Sequence, residues 1–339
     1  VDKHILTSIS LILVGLLHCT SSSAAKIHSL CVFDPVGKSG DIYTSAKDLS
    51  AEFLSAGVQF QLYPYSTESE AKSDFNNGLC DATVLTTTNA SEYNHFTASI
   101  DAMGATLNYR MQRDVIHALS QPKANDLMRQ GKHEIAGIFP GGAVHLLFHD
   151  RAQARPDNIE NTRLLVLHGS PVLRNFAEQL NLRAIRGDTS NFAQMFKRNR
   201  VDAIFAPITI IQALELEQAM GTKGGMLSTP FMYLSLQLVI NRDKFPVGFG
   251  QQARVISLHY FDDAVRLARQ AKFDIGKEYW ISSNAQQLAH WNAVMLEVQR
   301  NMLSDKTYDP RMLKLLKKTR CKYDPIREEC SNKSLVAPS

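Results

Sequence analysis

The 339-residue chain lacks most of the features that would assign it to a common functional class. Past residue 25 no run is apolar enough to cross a bilayer, which takes about 20 consecutive apolar residues as a helix. Charge of either sign is nearly balanced: 37 basic and 33 acidic residues leave +4, with no basic run interleaved with aromatics. That argues against nucleic acid as a partner. Cysteine is scarce, five in all, and no paired short spacing suggests a zinc site. Catalytic signatures are missing as well. His133-Glu134-Ile135-Ala136-Gly137 lacks the second histidine of the zinc-protease pattern, and no Gly-x-Ser-x-Gly elbow occurs. Gly37-Lys38-Ser39 is no P-loop, because Val32 stands where that motif needs its first glycine. No enzyme activity, cofactor or metal is expected.

The first 25 residues read as a signal peptide. Lys3 and His4 precede an apolar stretch over 5–17, and small residues follow, with Ser23 and Ala25 at the −3 and −1 positions of a cleavage site. A membrane anchor, or a lipoprotein attached at Cys19, is the alternative. Cleavage leaves about 314 residues, enough for two compact domains, in the periplasm or outside the cell. It also removes Cys19, so four cysteines enter an oxidising compartment, where disulfides form. Of three possible pairings, Cys31–Cys80 and Cys321–Cys330 are favoured. Cys31 lies in the first predicted strand and Cys80 just before another; Cys321 and Cys330 close a short loop in a charged, weakly structured tail, 321–339.

The remainder alternates strand-like and helix-like segments. Strands are predicted at 28–33, at 58–63, where Val58, Phe60 and Leu62 alternate with polar neighbours, and at 81–86. Helical spacing of Ile42, Ala46, Leu49 and Phe53 lies between the first two, and Thr67-Glu68-Ser69-Glu70 reads as a capping box opening a second helix. This βαβαβ order implies a mostly parallel sheet covered by helices. The order returns later: a strand at 163–168, a helix capped by Ser170 with Pro171 in its first turn, a strand at 182–186, a helix from about Thr189 and a strand at 202–206. Phe75 through Asp81-Ala82 is echoed by Phe196 through Asp202-Ala203, which supports two similar lobes. Strands at 135–139 and 143–148 leave the first lobe, and a return strand is predicted at 235–241. Helices follow at 262–271, 285–303 and 311–318.

From about residue 28 to 300 the sequence resembles the solute-binding proteins of TRAP-type transporters. The resemblance is carried by Lys47-Asp48-Leu49-Ser50-Ala51-Glu52-Phe53 before the 58–64 strand, the helix, turn and strand over 71–86, and Ser170-Pro171-Val172. Val201-Asp202-Ala203 with Pro207 and Asn241-Arg242-Asp243-Lys244-Phe245 complete it. It implies an α/β periplasmic binding protein of type II, its two lobes joined by hinge strands. Lobe one would be 26–148 plus 243–320, and lobe two 149–242. It further implies a monomer that closes over a small organic solute and delivers it to a membrane permease. An accessory or sensor subunit of an envelope complex is the alternative. Two arginines that hold a ligand carboxylate in that family fall here at Val166 and near Val144 or His145. The usual carboxylic-acid ligand is thus not implied.

In open parallel sheets, ligands sit at the carboxyl ends of strands, beside the free N–H groups of the following helix. That rule selects Lys38 and Ser39 in the 34–41 loop, Thr87 and Thr88 after the third strand, and His168. Arg186 at a strand end is a candidate substitute for the missing arginine, His145 lies near the hinge, and Tyr233 would add an apolar wall.

Overall fold

The structure, a computed structural model, describes residues 26–331. Three parallel strands open it: β1 (Lys26–Phe33), β2 (Val58–Tyr65) and β3 (Ala82–Thr86), linked by helices α1 (Asp41–Glu52) and α2 (Glu68–Asn76). β1 lies between the other two and is buried on both faces over its last four residues, as an inner parallel strand must be. β2 is the edge, with Val58 and Phe60 inward and Gln59 and Gln61 in solvent. The short helix α3 (Thr87–Ala90) follows β3, and the amphipathic α4 (Tyr109–Leu119) is capped by the Asn108 side chain, which accepts from Met111 N at 2.9 Å.

After β4 (Arg129–Gln130) comes β5 (His133–Phe148), a single sixteen-residue strand where two had been expected. Pro140-Gly141-Gly142 does not end it. Against β10 (below) the register skips Ala136 and Gly141, two bulges that absorb the extra residues while pairing continues on both sides. Gly142 has φ +110°, which a residue with a Cβ rarely adopts.

The second half repeats the first: β6 (Arg163–Leu167), α5 (Pro171–Gln179), β7 (Arg183–Gly187), α6 (Phe192–Lys197) and β8 (Ala203–Pro207). α7 (Leu216–Met220) and β9 (Gly225–Leu227) lead into β10 (Met232–Asn241), which runs antiparallel to both β3 and β5. β5 pairs antiparallel to β8 through residues 144–148. The sheet order is β2-β1-β3-β10-β5-β8-β6-β7, so each half is three parallel strands with an antiparallel strand that crosses between halves. The described residues end with α8 (Phe249–His259), α9 (Phe261–Asp274), β11 (Trp280–Ile281), α10 (Ala285–Ser304), α11 (Pro310–Tyr323) and α12 (Glu328–Ser331). α8 had no forecast at all. One core, containing Phe33, Met111, Phe176, Trp291 and Leu316, draws on both halves and on α10, which packs on α5.

Several local expectations change. Thr67 precedes α2 as expected, but its hydroxyl hydrogen-bonds the Glu70 carboxylate, so no capping box forms. α6 starts at Phe192 and not near Thr189, because Asp188 gathers Ser190 N at 2.8 Å and Asn191 N at 3.1 Å into a turn first. The segment around Cys321 and Cys330 is helical. Both disulfides, Cys31–Cys80 and Cys321–Cys330, join the expected partners. Arg320 anchors the second, donating to the Glu329 carboxylate through two bonds of 2.7 Å and to Ala105 O at 2.7 Å. The forecast signal peptide lies outside the described residues. Among those residues no helix is long and apolar enough to cross a membrane.

Candidate functional site

The crossing strands bring the carboxyl ends of both strand sets to one place. Thr86, the last residue of β3, pairs with Leu236, which faces Phe139; Pro207, the last of β8, pairs with Val144. Between these ends lies a cavity of about 610 Å³. Its floor comes from the crossing strands: Gly141 and Val144 from β5, Met232 and Leu234 from β10.

The wall from the first half is polar. Glu68, the first residue of α2, is buried against the end of β3, where its carboxylate accepts from Thr86 N at 2.5 Å, Thr86 Oγ1 at 2.7 Å and Asn89 Nδ2 at 2.6 Å. Burial pushes its carboxyl above the usual range, against the pull of these hydrogen bonds. Asp101 comes from the irregular segment before α4. Its Oδ2 accepts from Ser235 N at 2.8 Å, Oδ1 is buried, and the Ser235 and Thr87 side chains lie beside the carboxyl and stabilise its ionised form. Burial raises this carboxyl to about 7. Thr87 locks the same corner: its hydroxyl donates to Ser235 O at 3.0 Å and accepts from Gln237 Nε2 at 3.2 Å.

The wall from the second half is mixed: Leu167, Pro171, Phe192, Phe205 and Pro207 line it beside the polar His168, Asp188, Thr189, Ser190 and Thr209. Phe205 stands edge-on to Phe176 at 5.1 Å and to Phe231 at 5.3 Å, and Phe231 meets Trp291 of α10 at 5.5 Å. Among the described lining residues there is no arginine and one lysine, the exposed Lys306.

Of the residues expected at the site, Thr87, Thr88 and His168 line this cavity. His168 is exposed there, and Ser170 caps α5 by accepting from Leu173 N at 3.3 Å. Lys38 and Ser39 stand outside the lining, exposed in a 3-10 turn. The loop amides that could have met an anion are already taken by buried Asp34, whose carboxylate accepts from Val36 N at 2.8 Å and Tyr43 N at 3.0 Å. Gly40 makes room for that carboxylate, because a Cβ there would come within 2.1 Å of it. Arg186 is exposed on the edge strand β7, away from the cavity. His145 is buried on β5, its Nδ1 2.8 Å from Leu227 O and its ring edge-on to Trp280; burial pushes it down to about 4, so it stays neutral. His149 stacks on Phe196, and no group of three potential metal ligands occurs among the described residues. Tyr233 sits behind the floor, donating to Leu107 O at 3.1 Å. Glu68, Asp101, Phe33 and Phe205 were not singled out. The sequence signal at Glu68 was absorbed by the capping-box reading, and Asp101 lies in a stretch without periodicity.

Two half-sheets joined by crossing strands, with a cavity at their meeting point, make a two-lobe α/β architecture. Solved structures share the whole fold. A TRAP periplasmic solute-binding protein from Desulfovibrio salexigens with bound orotic acid superposes with a TM-score of 0.73 at 11% identity, over 89% of this chain and 99% of that one. A second, from Desulfovibrio desulfuricans with bound sn-glycerol-3-phosphate, gives 0.70 at 15% identity, over 87% and 100%. Residues 49–334 match the family described as "Solute-binding protein AdeT 1/2", and the chain belongs to that family. A curated relative, the probable solute-binding protein AdeT1 of Acinetobacter baumannii, is 29% identical over 300 residues, 88% of this chain and 99% of that protein.

Proposed function

We propose that the chain is an exported periplasmic protein that captures a small organic solute between its lobes and presents it to a membrane permease. The observation that carries this is the cavity. It lies where both strand sets end, is floored by the two strands that, among the described residues, cross between the halves, and has the size of a small-molecule site. β5 and β10 are the hinge strands, and closing about them buries the solute from both sides. The relatives' solute-binding assignment and the periplasmic location of the structural neighbours support the reading, as do the two disulfides. Glu68, Thr87, Asp101 and Phe205 are the contacts assigned here.

Thermal unfolding against a panel of amines, acids, sugars and aromatic compounds tests it. A ligand present at about 100 times its dissociation constant stabilises by about 2.7 kcal/mol, a shift of a few degrees for a chain this long. A cooperative fold that no compound stabilises would count against solute capture.

A further inference from the structure

A second cavity, of about 360 Å³, adjoins the one at the strand ends. We infer that the solute is an amphiphile. Its hydrogen-bonding head sits in the cavity at the strand ends, and an unbranched apolar arm runs past Gly141 into the second cavity beneath α1. This rests on reading the first cavity as a solute site.

Three observations carry it. First, the two spaces meet, because Ile42, Gly141, Thr209 and Leu236 line both. That boundary suits an apolar chain. Gly141 brings no side chain, Ile42 and Leu236 are aliphatic, and the Thr209 hydroxyl already donates to Gly141 O at 2.9 Å. Second, the base of the second cavity is apolar. β1, β3 and β10 turn Leu30, Val84, Leu236 and Leu238 to one face, where Leu49 of α1 and Phe139 of β5 join them. Ala264 and Leu267 of α9 close the far side, as that helix passes from α8 to pack on residues 208–210 of the second half. The charged lining residues Asp41, Asp48 and Asp263 stand exposed at the rim. Protein cores pack so closely that gaps larger than a water are few, whereas this space is in the range of a small-molecule site. Third, the larger cavity carries hydrogen-bonding side chains from both halves, among them Thr88, Thr189 and His168, which suit a polar head. A compact polar solute would use the first cavity and leave the apolar base of the second against water. An arm of several methylenes covers that base and gains about fourfold in affinity for each methylene fully withdrawn from water.

The test is calorimetric titration of the purified protein with butyl, hexyl, octyl and decyl chains on three heads: alkylamines, alkanoates and alkyl β-D-glucosides. Each compound is kept below its critical micelle concentration. In the head series that binds, affinity is expected to rise about two- to fourfold per methylene and then level off as the second cavity fills, with one ligand per chain. Ala264→Phe puts a ring into the second cavity from a position outside the first cavity's lining. It is expected to weaken the octyl compound by about tenfold or more and to leave the butyl compound unchanged. Ala46→Phe does the same from α1 and takes its place if Ala264→Phe fails to fold. If neither variant folds, the wild-type length series decides. Binding that ignores chain length would overturn the amphiphile and leave solute capture standing. Undiminished octyl binding in a folded variant would overturn the placement of the arm. Two ligands per chain would make the second cavity a separate site and overturn a single solute bridging both. If neither these series nor compact solutes bind, solute capture falls with the amphiphile.

Discussion

The two halves of the sheet share a wiring diagram and differ in what they show the cavity. In each, the residue before the third parallel strand ties back to the first strand. Asp81 N donates to Ser29 O and its carboxylate accepts from Ser29 N, at 3.0 and 3.2 Å. Asp202 N donates to Arg163 O and its carboxylate accepts from Arg163 N, both at 2.8 Å. Phe75 and Phe196 are buried six residues earlier in each case. Yet the residue opening the second helix is Glu68 in one half and Phe192 in the other, and both line the cavity. The third strand ends in Thr86 in one and Pro207 in the other. One backbone plan, used twice, supplies a wall with a buried, hydrogen-bonded carboxylate and a wall in which aromatic and proline side chains stand beside polar ones. Specificity therefore resides in a few side chains at equivalent positions rather than in the topology that brings them together.

The largest way to break the comparison is through a device seen in the first half. Arg254 of α8 is buried against Glu134 at the start of β5, donating to its carboxylate at 2.7 Å and to Ile135 O at 2.8 Å. Arg254→Met is expected to cost about 3–5 kcal/mol in urea unfolding, because Glu134 keeps its charge and loses its closest partner. Next comes the Cys31–Cys80 bridge, which pins β1 to the approach of β3 and has no counterpart between β6 and β8. Replacing both cysteines with alanine opens a loop with a sequence separation of 49 and should cost about 4 kcal/mol, read from the denaturation midpoint. Reducing agent alone should reproduce most of that loss.

Asp101 gives the third effect, with a sign set by its burial. Its carboxyl in the fold, at about 7, lies above the unfolded value. The solute-free fold therefore holds a proton that the unfolded chain releases, and Asp101's contribution to stability falls as pH rises from about 4 to about 7. Asp101→Asn should flatten that fall and leave the solute-free protein more stable at pH 8, on the order of 2 kcal/mol. Smallest is the symmetric pair. Asp202→Ala should cost about 2 kcal/mol and Asp81→Ala about 1, since the Asp202 carboxylate also accepts from Arg163 Nη2 at 2.6 Å. Equal losses would show that the guanidinium adds nothing.

Much of the fold was legible because its signals are local. Alternation in β2, the repeated βαβαβ order and the Asp-Ala starts of β3 and β8 reflect burial of one face of a strand or helix, which a short window of sequence records. The continuity of β5 was not legible, since Pro140-Gly141-Gly142 reads as a break and only pairing with β10 on one side and β8 on the other holds the chain extended through it. α8 escaped because burial of Arg254 and Ser257 on its inner face blurs the apolar period. The strand-end rule found Thr87, Thr88 and His168, but also Lys38, which occupies the right kind of loop with its side chain in solvent, while Arg186, the candidate substitute arginine, is exposed within β7.

By itself, then, the sequence determined most of the strand and helix order and the doubling of the plan, which follow from local periodicity, while it only favoured one disulfide pairing of three. Tertiary structure alone decided the site. Glu68 and Asp101 stand 33 residues apart in the chain, one at a helix start and one in an irregular segment, and neither spacing nor period relates them. They share a wall because β10 passes between the halves and presents Ser235 to the segment that follows β3. Their chemistry, too, is set there: burial raises both carboxyls, and burial belongs to the packed fold and not to the residue type.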